Sequence, residues 1–286
     1  GNNGPALNTV GSPGTARRVF TIGAYCSKRT QRTNYGVFDP RRDDLFDFSS
    51  RGPLTCGSPG IDFVAPGAAL SPLPTWHLKR FESWNGTSMA APQAAGALAV
   101  LLSAALQKGL PTSVAHLTHA LRATARYLPD LLSVEQGAGL IQVGPAFAAL
   151  ERLPADREPV AFRIETRNAT GTGSGVYERC VAGADPFERE VSIRPDFDER
   201  TPASVRAAFG GLYRLVVDAD WLEAPAQIYL NAEGDSLRLR YHPSRMREGL
   251  NLAKVRAYPI LESGSESAEP AGAAPHDFEI VSTMIR

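Results

Sequence analysis

Cysteine is scarce in this sequence, and three thiols in 286 residues exclude a disulfide framework. Cys26, Cys56 and Cys180 are widely separated, and no C-x-x-C spacing suggests a metal site. We expect free thiols in a reducing compartment, although a cysteine-poor secreted bacterial protein would have a similar composition.

A net charge and a long apolar run are also lacking. Thirty Lys/Arg balance thirty Asp/Glu, so no bulk field favours nucleic acid or a membrane surface. No run approaches the ~18 consecutive apolar residues of a membrane span. The most apolar stretch is interrupted by Gln93, Gln107 and Lys108, and we expect it to be a buried helix of a soluble protein.

Gly1–Pro5 shows neither an initiator Met nor a signal-peptide pattern, which predicts that the natural start lies elsewhere.

Charge is unevenly divided along the chain. Residues 1–150 carry 13 Lys/Arg against 8 Asp/Glu, and the remainder carries 17 against 22. The length allows two domains of ordinary size. We predict one domain over residues 1–153, a charged, proline-containing linker over 154–159, and a second domain over 160–286.

The most informative stretch is Asn85-Gly86-Thr87-Ser88-Met89-Ala90-Ala91-Pro92, which leads into an Ala-rich helix expected to run to about Lys108. Gly86 permits close approach of the chain or a ligand, and Pro92 is expected in the first turn of the helix. Ser88 would then lie at the positive end of the helix dipole, which favours developing negative charge. The alternative is that Thr87 or Ser88 is only an N-cap.

The octet as a whole resembles the nucleophile signature of subtilisin-like serine peptidases. The resemblance implies that Ser88 is the nucleophile and that Asn85 contacts substrate. We predict no cofactor and no metal, since no calcium-ligand run such as D-x-D-x-D-G appears. Gly1-Asn2-Asn3-Gly4-Pro5 is a turn by composition, and it resembles the family's Gly-Asn motif. Asn2 would then supply the oxyanion-hole amide, with Asn3 as the alternative. Gly11 matches the glycine that forms the floor of the pocket before the scissile bond, with ordinary packing as an equal alternative.

Other segments of the first half are assigned structural roles. We expect a buried strand in Val19–Tyr25, an exposed loop over Ser27–Asp44 and a second buried strand in Ile61–Gly67. Helices are expected from Thr112 to Tyr127 and from Pro145 to Leu153. His116 and His119 lie three residues apart, but without a third ligand we interpret them as ordinary helix residues.

The second half changes to short extended runs separated by turns, which is typical of an antiparallel sandwich. We also expect a mobile loop over Ser263–Pro275. The predicted fold class is therefore α/β: the C-terminal half of a subtilisin-like parallel sheet with flanking helices, followed by an all-β sandwich. The predicted strands are Val160–Ile164, Val191–Ile193, Tyr213–Val217, Ile228–Leu230, Leu237–Tyr241, Lys254–Ile260 and Phe278–Ile285.

Three further stretches, Phe48–Pro53, Gly139–Val143 and Tyr241–Leu250, resemble the tripeptidyl-peptidase group of this family. That resemblance implies the release of tripeptides from free amino termini of oligopeptides by a large cytosolic homo-oligomer.

Two expected contexts are absent. In this family an Asp and then a His precede the oxyanion Asn, typically as Asp-x-Gly and His-Gly-Thr, and neither occurs among these residues. We therefore expect the catalytic Asp and His to lie upstream of Gly1, and these 286 residues to hydrolyse no peptide bond alone. A non-catalytic relative acting in assembly or peptide binding is one alternative. An esterase is another, since Gly86-Thr87-Ser88-Met89-Ala90 approximates G-x-S-x-G without its last glycine.

Overall fold

The computed structural model describes residues 1–153, 160–197, 199, 201–260 and 276–286. The predicted linker at 154–159 and the predicted loop Ser263–Pro275 lie outside the described residues. The chain forms two compact units. The first comprises Gly1–Leu54 and Pro59–Leu153, and the second comprises Thr55–Ser58 and Pro154–Arg286.

The first unit mixes strands and helices. Its strands are β1 (Ile22–Cys26), β2 (Asp44–Leu45), β3 (Phe63–Pro66), β4 (Ala68–Pro72) and β5 (Phe81–Asn85). Its helices are α1 (Lys28–Tyr35), α2 (Thr87–Gln107), α3 (Val114–Thr124), α4 (Ser133–Gln136) and α5 (Val143–Arg152).

A small sheet with the order β2-β1-β3 supports the first unit. Strands β1 and β3 are parallel, and β2 pairs antiparallel with β1. Phe63, Val64 and Ala65 are all buried, as expected for a parallel strand covered on both faces. The predicted parallel sheet is confirmed, with an antiparallel edge that the sequence did not indicate.

Helix α2 packs its small residues against this sheet. Ala90 and Ala94 form a buried cluster with Ala24 of β1 and Ala65 of β3. Because these side chains end at Cβ, helix and sheet approach closely. The first turn of α2 is thereby fixed to the unit's core.

The expectation that α2 is a buried helix holds for only one of its sides in the described chain. Leu101 is fully buried, but Val100 and Leu106 are 60% and 62% exposed. By length and composition α2 could also cross a membrane. One such helix is weak support for a span, because core helices of soluble proteins have the same properties.

The segment predicted as an exposed loop contains α1. Ser27 caps this helix by accepting a hydrogen bond from the Thr30 N–H, and Gly36 ends it at a φ of +65°. Strands β4 and β5 form an antiparallel hairpin that leads into the serine turn. The other predicted strands and helices of this unit are present with shifted ends.

The second unit is built from strands, and its one described α-helix is α6 (Ala203–Ala208). Its strands, in chain order, are β6 (Ala161–Asn168), β7 (Gly171–Gly173), β8 (Val176–Glu178), β9 (Phe187–Asp196), β10 (Gly210–Val217), β11 (Leu222–Glu223), β12 (Gln227–Asn231), β13 (Asp235–Tyr241), β14 (Leu250–Pro259) and β15 (Phe278–Ile285).

These strands form two five-stranded sheets, ordered β12-β10-β14-β15-β8 and β11-β13-β9-β6-β7. Both sheets contribute to one apolar core, which includes Ile193, Leu239, Val255 and Ile280. The buried Tyr241 hydroxyl lies 2.9 Å from Ser282 Oγ and links the two sheets. The predicted sandwich is confirmed; within it, β8 and β15 are parallel.

Candidate active site

The serine turn joins the end of β5 to the start of α2. Gly86 has a φ of +156°, a conformation that residues with a side chain rarely adopt. Helix α2 begins at Thr87, and Ser88 is its second, solvent-exposed residue. A hydroxyl is therefore presented at the N-terminus of a 21-residue helix, where the helix dipole favours negative charge.

The cap of α2 differs from the expectation. Neither Thr87 nor Ser88 is the N-cap; Gly86 is, and it contributes no side-chain hydrogen bond. Instead, Asn2 Oδ1 accepts hydrogen bonds from the Thr87 N–H (3.0 Å) and the Thr87 hydroxyl (2.8 Å). Pro92 is the sixth residue of the helix and not part of its first turn, so it cannot donate a hydrogen bond to the Ser88 carbonyl.

These contacts orient the Asn2 amide. Because the Thr87 N–H can only donate, the Asn2 atom facing it must be the oxygen, and Nδ2 points elsewhere. Within the described part of the chain, neither Asn2 Nδ2 nor the Ser88 N–H has an acceptor. A Cβ added at Gly86 would lie 3.3 Å from Asn2 Nδ2 and 3.6 Å from Ser88 N. Two free donors thus border one small space beside Ser88, an arrangement that can bind an oxyanion.

Asn85 makes a contact that the sequence did not indicate. Its Nδ2 donates a 2.9 Å hydrogen bond to the hydroxyl of Tyr35, the last residue of α1. The Tyr35 ring contacts Phe46 edge-on at 5.6 Å, and Phe46 stacks on Phe48 at 5.0 Å. Asn85 is solvent-exposed, and its role in substrate binding stays a prediction.

Gly11 lies in the exposed segment before β1. A Cβ at this position would meet no atom within 4 Å, so packing does not require a glycine there. Its assignment to the pocket floor also stays a prediction.

No base is bonded to Ser88 in the part of the chain that the structure describes. Among the described residues Ser88 Oγ makes no hydrogen bond. His116 is buried in α3 with its Nδ1 2.7 Å from Ser113 Oγ, and His242 and His276 belong to the second unit.

Burial, followed by the charges of Asp44 and Asp43, raises the pKa of Cys26 to about 11, so this thiol stays protonated at neutral pH and does not compete as a nucleophile.

Comparison with known proteins identifies the family. A sequence model of the subtilase family, Peptidase S8, matches residues 1–139. This segment belongs to the subtilase family. The subtilase match includes Asn2 and Ser88, and the predicted resemblance is confirmed. A second model, the first Ig-like domain of tripeptidyl-peptidase II, matches residues 160–265.

Curated relatives extend the similarity beyond the subtilase segment. The chain is 30% identical over 278 residues to tripeptidyl-peptidase 2 of Caenorhabditis elegans, covering 95% of this chain and 20% of the relative. It is 38% identical over 208 residues to tripeptidyl-peptidase 2 of Arabidopsis thaliana, covering 70% of this chain and 15% of the relative. The chain thus spans about a fifth or less of the length of these relatives.

A solved structure agrees with both comparisons. The crystal structure of tripeptidyl peptidase 2 matches 100% of this chain and 21% of the solved chain, with a TM-score of 0.76 at 27% identity. The subtilase serine turn and the β-sandwich therefore occur together in a protein of known structure.

Proposed function

We propose that this chain is the nucleophile-bearing portion of a subtilisin-like serine peptidase. One observation carries the proposal: the exposed Ser88 hydroxyl lies beside two hydrogen-bond donors, Asn2 Nδ2 and Ser88 N–H, that have no acceptor in the described chain. Donors that the fold already holds in place can stabilise charge that develops only in the transition state.

The proposed chemistry is acyl transfer. Ser88 Oγ attacks the scissile carbonyl, and the carbonyl oxygen becomes an oxyanion that accepts hydrogen bonds from Asn2 and from the Ser88 backbone. A histidine oriented by an aspartate would accept the serine proton and pass it to the leaving amine as the C–N bond breaks; water would then hydrolyse the acyl-serine and restore the Ser88 hydroxyl. We place both groups outside these 286 residues, since no histidine is bonded to Ser88 in the described part and the curated relatives are several times longer.

The proposed substrates are oligopeptides with free amino termini, from which the enzyme releases tripeptides. The support for tripeptide release is similarity to proteins named tripeptidyl-peptidase 2, and the free amino terminus is what the family resemblance implies. The residues that read the substrate's amino terminus would also lie outside this chain. A cytoplasmic location is consistent with three free cysteines, and assembly into a homo-oligomer belongs to the same proposal.

The nucleophile can be tested by covalent labelling of the complete protein. We expect a fluorophosphonate probe to label Ser88 and Ser88→Ala to abolish both labelling and hydrolysis of a tripeptidyl amide. An amino-terminally acetylated form of the same reporter should be a poor substrate. Labelling that persists in Ser88→Ala would contradict the assignment.

The 286-residue chain on its own provides a second test. We expect it to hydrolyse no tripeptidyl amide, because general-base assistance contributes about 10²–10⁴-fold. Hydrolysis by this chain that Ser88→Ala abolishes would show that the base lies within it. A complete protein that folds but is neither labelled nor active would favour the alternative, a non-catalytic scaffold for assembly or peptide binding.

A further inference from the structure

The loop that carries Asn2 lies against Phe48–Ser50, part of the stretch Phe48–Pro53 that the sequence singled out only by its resemblance. The Gly4 N–H donates to the Phe48 carbonyl at 2.8 Å. A Cβ at Gly4 would overlap the Ser49 carbonyl, so the two stretches are in close contact. The position of Asn2 therefore depends on residues almost fifty positions later in the chain.

Ser50 is bonded to both peptide groups that flank Asn2. Its N–H donates to the Gly1 carbonyl at 3.0 Å, and its Oγ accepts from the Asn3 N–H at 3.1 Å. The Gly1 carbonyl precedes the Asn2 Cα, and the Asn3 N–H follows it. Since the orientations of these two peptide planes set the φ and ψ angles of Asn2, one residue fixes the direction in which its side chain leaves the backbone.

The position of Ser50 is itself fixed. Ser50 is 1% exposed and its neighbour Ser49 is fully buried. Ser49 Oγ accepts a 3.0 Å hydrogen bond from the Ala24 N–H in β1, which attaches the segment to the sheet. A buried hydroxyl held next to the core is a rigid support for a loop that is exposed at Asn2.

We infer that Ser50 is a positioning residue for the oxyanion amide, acting through the backbone of Asn2 and not by contact with substrate. The inference rests on the proposed function. Thr87 binds the amide at the end of the Asn2 side chain, while Ser50 binds the backbone on either side of Asn2. Small displacements of catalytic groups lower rates by up to about 10²-fold. Because the Ser50 N–H bond survives a side-chain substitution, we expect a partial loss for Ser50→Ala.

The test compares Ser50→Ala with Ser49→Ala in the complete protein. Both changes remove a buried hydroxyl that accepts one backbone N–H, so their effects on folding should be alike. We expect Ser50→Ala to lower kcat on the tripeptidyl amide roughly tenfold and to leave KM within about twofold, since the oxyanion exists only in the transition state. Ser49→Ala loosens the segment only indirectly and leaves both bonds between Ser50 and the Asn2 backbone in place, so it should lower kcat clearly less than Ser50→Ala does.

Coupling to Asn2 distinguishes positioning from a general structural effect. In an Asn2→Ala background the amide is gone, so Ser50→Ala should lower kcat by less than a further factor of about two. Equal losses of kcat in the two serine variants, or a full additional loss in the Asn2→Ala background, would overturn the inference.

Two further measurements keep the test decisive. If Ser50→Ala fails to fold, Ser50→Cys retains the side-chain size with a weaker acceptor and should lower kcat in the same direction. A wild-type protein that neither labels nor cleaves would refute the proposed function. A wild-type protein with Ser88-dependent activity and an unaffected Ser50→Ala variant would refute only this inference.

Discussion

At the scale of single residues, the hydrogen bond between Tyr35 and Asn85 joins α1 to the serine turn. Tyr35→Phe would keep the ring contact with Phe46 and remove only the acceptor for Asn85 Nδ2. We expect kcat/KM for the complete enzyme to fall roughly fivefold, the order of one hydrogen bond. Asn85→Ala should lower kcat/KM similarly, and the double variant should be no worse than either single one. Additive losses would show that the two residues act separately.

Gly86 supports a second prediction, because its missing side chain leaves open the space bordered by Asn2 Nδ2 and Ser88 N. Gly86→Ala would place a methyl group against both donors at a strained φ of +156°. We expect a loss of fluorophosphonate labelling rate of about 10²-fold or more.

Gly96→Ala is the matched control for Gly86→Ala. Gly96 lies within α2, and a Cβ there would meet no atom within 4 Å. We expect it to leave labelling unchanged and to raise the free energy of unfolding by about 0.5–1 kcal/mol through helix propensity. Equal labelling rates in the two variants would contradict the importance of the open space at Gly86.

The sequence identified the two residues that carry the proposed chemistry but not the contacts that orient them. Asn2 and Ser88 lie within recognisable local motifs. By contrast, Thr87 acts through a hydrogen bond to Asn2, which is 85 positions away, and Ser50 acts through a hydrogen bond to Asn3, which is 47 positions away. Nothing local in the sequence distinguishes such a partner from an ordinary N-cap or a buried serine.

At the scale of elements, α2 shows how far composition can mislead. Its apolar composition indicated a buried helix, yet the described chain buries mainly the side that carries Ala90, Ala94 and Leu101. An apolar composition identifies a helix that can be covered but does not show what covers each face. Helix α1 was missed for the opposite reason: it has no buried residue, and so its sequence lacks a helical repeat of apolar residues. The sequence signal that could have identified it was its pair of capping residues, Ser27 and Gly36.

The two sides of α2 should differ in stability measurements. Leu101→Ala removes a fully buried side chain and should lower the free energy of unfolding by about 2–5 kcal/mol. Leu106→Ala, at a site 62% exposed in the described chain, should cost less than about 1 kcal/mol. Urea denaturation of the isolated 286-residue chain makes this comparison. A similar loss in both variants would show that α2 is covered on both sides in that chain.

At the scale of the whole chain, the change from helical to alternating patterns correctly indicated two kinds of architecture. All seven predicted strands of the second unit are present, because each is long enough to show a buried, alternating face. The strands that were missed, β7, β8 and β11, have two or three residues each. Strands this short cannot show an alternation of buried and exposed residues, so they are recognisable only from their hydrogen-bonded partners in the sheet.

The second unit also contains a charge cluster that should make its stability depend on pH. Glu279 pairs with Lys254 Nζ at 3.0 Å and with Arg256 Nε at 3.1 Å, while His276 Nε2 lies 3.8 Å away. Burial acts to raise the pKa of Glu279, but the charge of Lys254, with those of His276 and Arg256, outweighs burial and lowers it below the ordinary 4.5. The ionised carboxylate therefore stabilises the folded state above pH 4.5, and this contribution is lost as the pH falls through the folded-state pKa.

Glu279→Gln should remove this dependence. We expect the variant to lose about 1–3 kcal/mol of unfolding free energy at neutral pH, because Lys254 and Arg256 lose a charged partner. As the pH is lowered past 4.5, the difference in unfolding free energy between wild type and Glu279→Gln should shrink, since the wild-type carboxyl also becomes neutral.

Glu248→Gln, at an exposed position before β14, is the control and should follow the wild type throughout. Urea unfolding between pH 7 and pH 3 measures all three proteins. Parallel curves for wild type and Glu279→Gln would mean that the carboxylate contributes no net stability, because the cost of its burial cancels its ion pairs.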